Sequence, residues 1–171
     1  MKKDIRRITI SSIFSALIVV LVLLGSFIDI LDITVAAVCT LAVYIIDIEV
    51  KGKYPLLVYI TSSILCLIFV PMTTATLYYV AFFGYYPILK KLFVRLPKLI
   101  RKLLCLVIFN AVMILLMLLF KAVFALQNEP PELYIVLLIS INIFFLCFDY
   151  LLDLFYFIYT KKLRKFINLK L

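Results

Sequence analysis

Histidine and tryptophan are absent from this chain, only three of its 171 residues are glycine, and charged side chains make up just 16% of it. Each shortage closes off some chemistry. Without histidine there is no imidazole to act as a general base near neutral pH or as the commonest zinc ligand. No cysteine or serine stands beside a recognisable base, and no glycine-rich loop is present to cradle a phosphate. The nucleophilic and hydrolytic templates therefore have no residues to build on. Cys39, Cys66, Cys105 and Cys147 each lie inside an apolar segment without CxxC spacing, which argues against a disulfide framework or a zinc site. The expectation is a protein that is not an enzyme and carries neither cofactor nor metal. Three glycines also cannot supply repeated GxxxG seams for helix packing.

What the chain has in abundance is apolar sequence: 67% of its residues are hydrophobic, with a mean hydropathy of +1.25. A chain of this length cannot hide that much apolar surface in a single water-soluble core, which points to one polytopic membrane domain. The net charge of +9 would suggest nucleic acid in a soluble protein. Here the cations flank apolar runs, where anionic lipid attracts them, so lipid rather than nucleic acid is the expected partner.

Seventeen of the eighteen Lys and Arg residues fall in four clusters at alternate ends of the apolar segments. They are Lys2, Lys3, Arg6 and Arg7; Lys51 and Lys53; Lys90, Lys91, Arg95, Lys98, Arg101 and Lys102; and Lys161, Lys162, Arg164, Lys165 and Lys170. Short basic loops stay in the cytoplasm, so the pattern predicts both termini inside and an even number of spans. The fold class expected is all-α, a six-transmembrane-helix bundle in the cytoplasmic membrane with spans at about 8–28, 33–48, 55–70, 75–89, 103–126 and 133–159. No small-x-small cleavage site follows the first apolar run, so it reads as an uncleaved helix rather than a signal peptide. Segment 90–102 interleaves apolar and basic residues in a periodicity broken by Pro97, which describes either a helix lying on the inner membrane surface or a docking surface for a cytoplasmic partner. Gly84 and Pro87, in Phe82-Phe83-Gly84-Tyr85-Tyr86-Pro87, predict a kink near the end of the fourth span.

Three groups of residues stand out as candidate sites. Ser11, Ser12, Ser15 and Ala16 place small side chains at i, i+4 spacing on what is expected to be a single face of the first helix, where another helix could approach closely. Asn142, Asp149 and Asp153 fall along one line of the sixth helix, and Asn110 in the fifth is a candidate partner. Carboxylates inside a membrane are costly, which makes that stripe either a structural pair or a relay. Asp29, Asp32, Tyr78, Tyr79, Asn128 and Glu132 gather at the outer turns, where polar groups and rings could line a small-molecule pocket.

Six spans with both ends inside, small-x-x-x-small spacing on the first helix and polar outer turns together resemble the S-component of an energy-coupling factor transporter. The resemblance covers nearly the whole chain. It implies a subunit that binds a small solute, such as a vitamin or related micronutrient, for uptake driven by a separate ATPase module. Ser11, Ser12, Ser15 and Ala16 would then meet the transmembrane coupling subunit, and the outer residues just named would hold the solute. The chain departs from that pattern in its short first and third outer turns, its lack of Trp and its serines in place of most of the expected alanines. The stretch 83–90 with Asp149 and Asp153 also resembles a group of uncharacterised bacterial membrane proteins. The architecture is similar, too, to the MreD family of cell-shape membrane proteins, which implies a non-transporting envelope scaffold instead.

Overall fold

The computed structural model describes residues 2–28, 31–50, 52–71, 73–124 and 131–163. Among these the chain is all-helical. In order come α1 (Lys2–Gly25), α2 (Asp32–Glu49), α3 (Tyr54–Phe69), α4 (Thr74–Tyr78), a π-helical turn (Tyr79–Phe83), α5 (Tyr86–Leu92) and a 3-10 turn (Phe93–Arg95). Then follow α6 (Lys98–Phe124), α7 (Pro131–Ile158) and a second π-helical turn (Tyr159–Leu163). Counting the interrupted run 74–92 as one, there are six helical segments, and each coincides with an expected apolar segment.

Among the described residues, three helices are long and apolar enough to cross a membrane: Asp4–Gly25, Lys98–Leu119 and Leu138–Lys161. At about 1.5 Å per residue, the 22 residues of the first two reach some 33 Å. The other segments fall short for readable reasons. Helix α2 carries Asp32, Asp47 and Glu49, α3 has only 16 residues, and the run 74–92 is broken by its π-turn. Segment 90–102, whose periodicity Pro97 breaks in the sequence, is divided in the structure. It closes α5, makes the 3-10 turn, extends at Leu96 (φ −85°, ψ 152°) and opens α6. Pro97 is the cause, since a proline's ring clashes with helical backbone in the residue before it.

The chain divides into two compact units that meet in sequence between Pro97 and Lys98. In the first, α1 packs on α3 and α2, and α2 packs in turn on α4, the π-turn and α5. Its core holds Ile18 and Val22 of α1, Ala36, Cys39, Val43 and Ile46 of α2, Val58 and Cys66 of α3, and Ala75, Tyr79, Phe82, Phe83 and Tyr86 of the fourth segment. The second unit is the α6–α7 hairpin, in which Phe109 stacks on Phe145 with ring centroids 4.5 Å apart. Its outward positions are apolar and bare, among them Leu103, Leu115, Leu118, Ile143, Leu146 and Leu151. A contiguous apolar surface of that extent suits lipid rather than water.

Gly25 ends α1 against α2 so closely that a Cβ there would lie 2.7 Å from Val35 Cγ2. Overpacking of this kind costs about 1–3 kcal/mol. Gly25→Ala is expected to lower the unfolding midpoint in detergent, and adding Val35→Ala, which removes the two obstructing methyls but keeps the Cβ 2.9 Å away, should restore only part of it.

Candidate functional site

The fourth segment receives side-chain hydrogen bonds on its backbone from both α2 and α3, and its sequence explains why. Pro87 has no N–H to offer the carbonyl four residues back, that of Phe83. Thr40 of α2 fills the gap, its Oγ1 donating to Phe83 O at 2.9 Å. One turn earlier the ladder widens, as the Gly84 N–H bonds Tyr79 O at 2.7 Å, five residues back rather than four. That choice releases Val80 O, which accepts from the Tyr59 hydroxyl of α3 at 2.8 Å. Gly84 is what admits Tyr59, because a Cβ at that position would sit 2.6 Å from the ring. Ser62 gives its own proton to Val58 O at 2.6 Å, so the buried Tyr79 hydroxyl is the donor in the 2.7 Å bond between them.

At the end of this segment Lys91 Nζ meets Asp47 Oδ1 at 2.6 Å, the carboxylate nearly buried and the lysine half-exposed. Asp47 lies in the last turn of α2, where helix carbonyls already concentrate negative charge, so a cation there offsets a doubly unfavourable placement. Sequence reasoning passed over Asp47, Lys91, Thr40, Tyr59 and Ser62. The available signal was a carboxylate at the wrong end of a helix, beside a basic cluster.

The second unit has two polar rungs. Asn110 and Asn142 exchange amide bonds, Nδ2 of Asn110 to Oδ1 of Asn142 at 2.7 Å and the reverse at 2.9 Å. Each also donates to the carbonyl one turn back, Leu106 and Leu138 respectively, so both amino groups are fully used. About two turns along, Lys102 Nζ lies 3.8 Å from Asp149 Oδ2, with Asp149 buried and Lys102 half-exposed. The stripe read from the sequence is therefore brought to α6 at two of its three members, and the partner Asn110 is where it was sought. Asp153, one turn on, is partly exposed.

The remaining predicted residues are distributed as follows. Ser11 and Ser15 are buried, and Ser15 Oγ lies 2.9 Å from Thr61 Oγ1 of α3. Ser12 and Ala16 face outward, so the four small residues split into an inner and an outer strip. Asp32 is buried at the start of α2, within electrostatic reach of Tyr78, whereas Tyr79 points into the core. Asp29 and Asn128 lie outside the described residues, as does the side chain of Glu132 at the start of α7. Among the described residues no three His, Cys, Asp or Glu side chains are grouped to hold a metal. Compared with known proteins, the chain matches no family model, no curated protein and no solved structure.

The two ends of the ion pair differ in burial, and that sets a direction for mutagenesis. Removing Lys102 takes a cation from a buried carboxylate, whereas removing the charge of Asp149 leaves a lysine that water or headgroups can reach. Lys102→Met is expected to destabilise the hairpin more than Asp149→Asn in equilibrium unfolding. For the amide rung, a double-mutant cycle with Asn110→Ala and Asn142→Ala should yield a coupling of about 1 kcal/mol, typical of interhelical hydrogen bonds in membranes.

Proposed function

We propose that the chain is a six-span protein of the cytoplasmic membrane with both termini inside. In this reading it acts as an S-component-like subunit that binds a small solute for uptake powered by a separate ATPase module. The observation that carries it is the division of the small residues of α1. Ser11 and Ser15 serve the protein's own packing, while Ser12 and Ala16 leave a low, exposed strip flanked by the bare apolar side chains Ile8, Ile13, Leu17 and Val20. The hydroxyls of Thr9 and Ser12 bond back to Ile5 O and Ile8 O, each at 3.0 Å, so the strip is smooth and already satisfied. Such a surface favours close approach of another membrane helix, as a coupling subunit would provide. The shorter segments α2, α3 and 74–92 complete the count of spans, and the alternating basic clusters give its orientation.

A second reading, a non-transporting envelope scaffold of MreD type, is favoured by a different observation. Hydroxyls near the expected outer end are engaged internally: Thr76 Oγ1 donates to Val70 O at 2.9 Å, Thr73 Oγ1 to Thr76 Oγ1 at 3.0 Å, and Tyr79 to Ser62.

Copurification from native membranes in mild detergent, with mass spectrometry of bound proteins and retained small molecules, separates the two. The transport reading expects a transmembrane coupling protein with paired ATPases and a retained solute. Ser12→Leu with Ala16→Leu should remove those partners while the chain stays folded, whereas Ser11→Leu should unfold it. Envelope-synthesis partners without a solute would establish the scaffold instead.

A further inference from the structure

We propose that the turn 92–96 docks on the inner leaflet, with Arg95 binding the phosphate of an anionic phospholipid while Leu92 and Val94 enter the acyl boundary. The sequence leaves two occupants open for this stretch, the lipid surface and a cytoplasmic protein, and its surroundings favour the first. Leu92 is 73% exposed and Val94 61%, and bare apolar positions continue into the first turn of α6, where Leu99 is 82% exposed. From Leu99 they run on at helical spacing through Leu103 and Val107, part of the bare apolar surface that suits lipid along α6. Large apolar side chains this open, set among cations, make an interfacial segment rather than a water-facing loop.

Charge complementarity adds the headgroup. Between Glu49 and Glu129 the sequence holds no Asp or Glu, whereas 90–102 holds six cations. Asp47 already serves Lys91 at 2.6 Å, and Asp149 serves Lys102 at 3.8 Å. Arg95 is exposed, and among the described residues no carboxylate lies within ion-pair reach of it. The 3-10 turn sets how its charge is presented. Side chains three apart eclipse in such a turn, so Leu92 and Arg95 stand in one column, and the Leu96 N–H closes the turn on Phe93 O at 3.0 Å. An apolar side chain and a guanidinium in one column match a phospholipid, whose phosphate lies just outside its acyl chains, and the long arginine stem lets the charge reach outward while its neighbours stay in the apolar layer. The guanidinium offers paired N–H donors to phosphate, and the negative potential of an anionic leaflet draws it there. This inference rests on the membrane placement proposed above and not on transport or scaffolding.

Because the chain has no tryptophan, a single introduced indole reports only its own surroundings. The full chain carrying Val94→Trp, or Leu115→Trp within α6, is reconstituted in vesicles of phosphatidylcholine alone or with phosphatidylglycerol. Brominated acyl chains quench the indole from the lipid, and acrylamide quenches it from water. Leu115→Trp should be quenched by brominated lipid alike in both vesicles; its failure to be quenched would overturn the membrane placement, and the docking of the turn with it. Val94→Trp should gain lipid quenching and lose acrylamide quenching as phosphatidylglycerol is added. Adding Arg95→Gln should remove most of that gain, whereas Arg95→Lys, which keeps the charge, should preserve most of it. Acrylamide quenching of Val94→Trp that phosphatidylglycerol does not change, with Leu115→Trp still quenched from the lipid, would overturn the proposal and give the surface to a cytoplasmic protein. Lipid quenching indifferent to phosphatidylglycerol or to Arg95→Gln would overturn the headgroup contact and leave acyl contact alone.

Discussion

A carbonyl that has lost its N–H partner in an interior without water must find another donor, and the loss is worth several kcal/mol if it does not. Pro87 creates that need at Phe83, and the first unit is arranged around the answer. Thr40 brings α2 to the fourth segment, Tyr59 brings α3 to the same stretch, and Ser62 ties Tyr79 to α3 a turn away. These bonds tie α2, α3 and the fourth segment together at fixed points along each helix. Gly84 then follows as a requirement, because the tyrosine that serves Val80 O occupies the space of a side chain.

The same constraint works differently in the hairpin. The backbones of α6 and α7 are satisfied within each helix, so side chains set their register. The pairs Lys102–Asp149, Asn110–Asn142 and Phe109–Phe145 come from an antiparallel arrangement in which advance along one helix matches retreat along the other. Leucine-rich faces such as these can slide past one another at little cost. An amide pair that bonds only face to face, and a buried carboxylate that needs its cation, remove that freedom.

Helix positions were legible because each apolar run is bounded by charge or proline, and the Asn142–Asp149 stripe was legible because a polar residue at helical spacing in an apolar run has few explanations. The partition of Ser11 and Ser15 from Ser12 and Ala16 was not. The two rows lie about 100° apart on the helix, and only the position of α3 decides which is covered. In segment 90–102 Pro97 breaks the periodicity as its place in the sequence suggests, and the backbone is divided there between the end of α5 and the start of α6. Thr40, Tyr59 and Ser62 were illegible for a deeper reason: each answers a vacancy created more than twenty residues away, or, for Ser62, seventeen.

The exposed surface carries the remaining argument. Apolar side chains that face outward along α1, α3, α6 and α7 are what lipid requires and discriminate little among membrane proteins. Ser12 and Ala16 differ, because a lipid chain gains nothing from a small side chain, whereas a neighbouring helix gains close backbone contact. Their hydroxyl neighbours are turned back onto their own carbonyls, so approach of a second helix would break no bond and desolvate no unpaired group. A strip that is costless to cover and of little use to lipid makes this face of α1 the place to look first for a partner, whichever of the two functional readings holds.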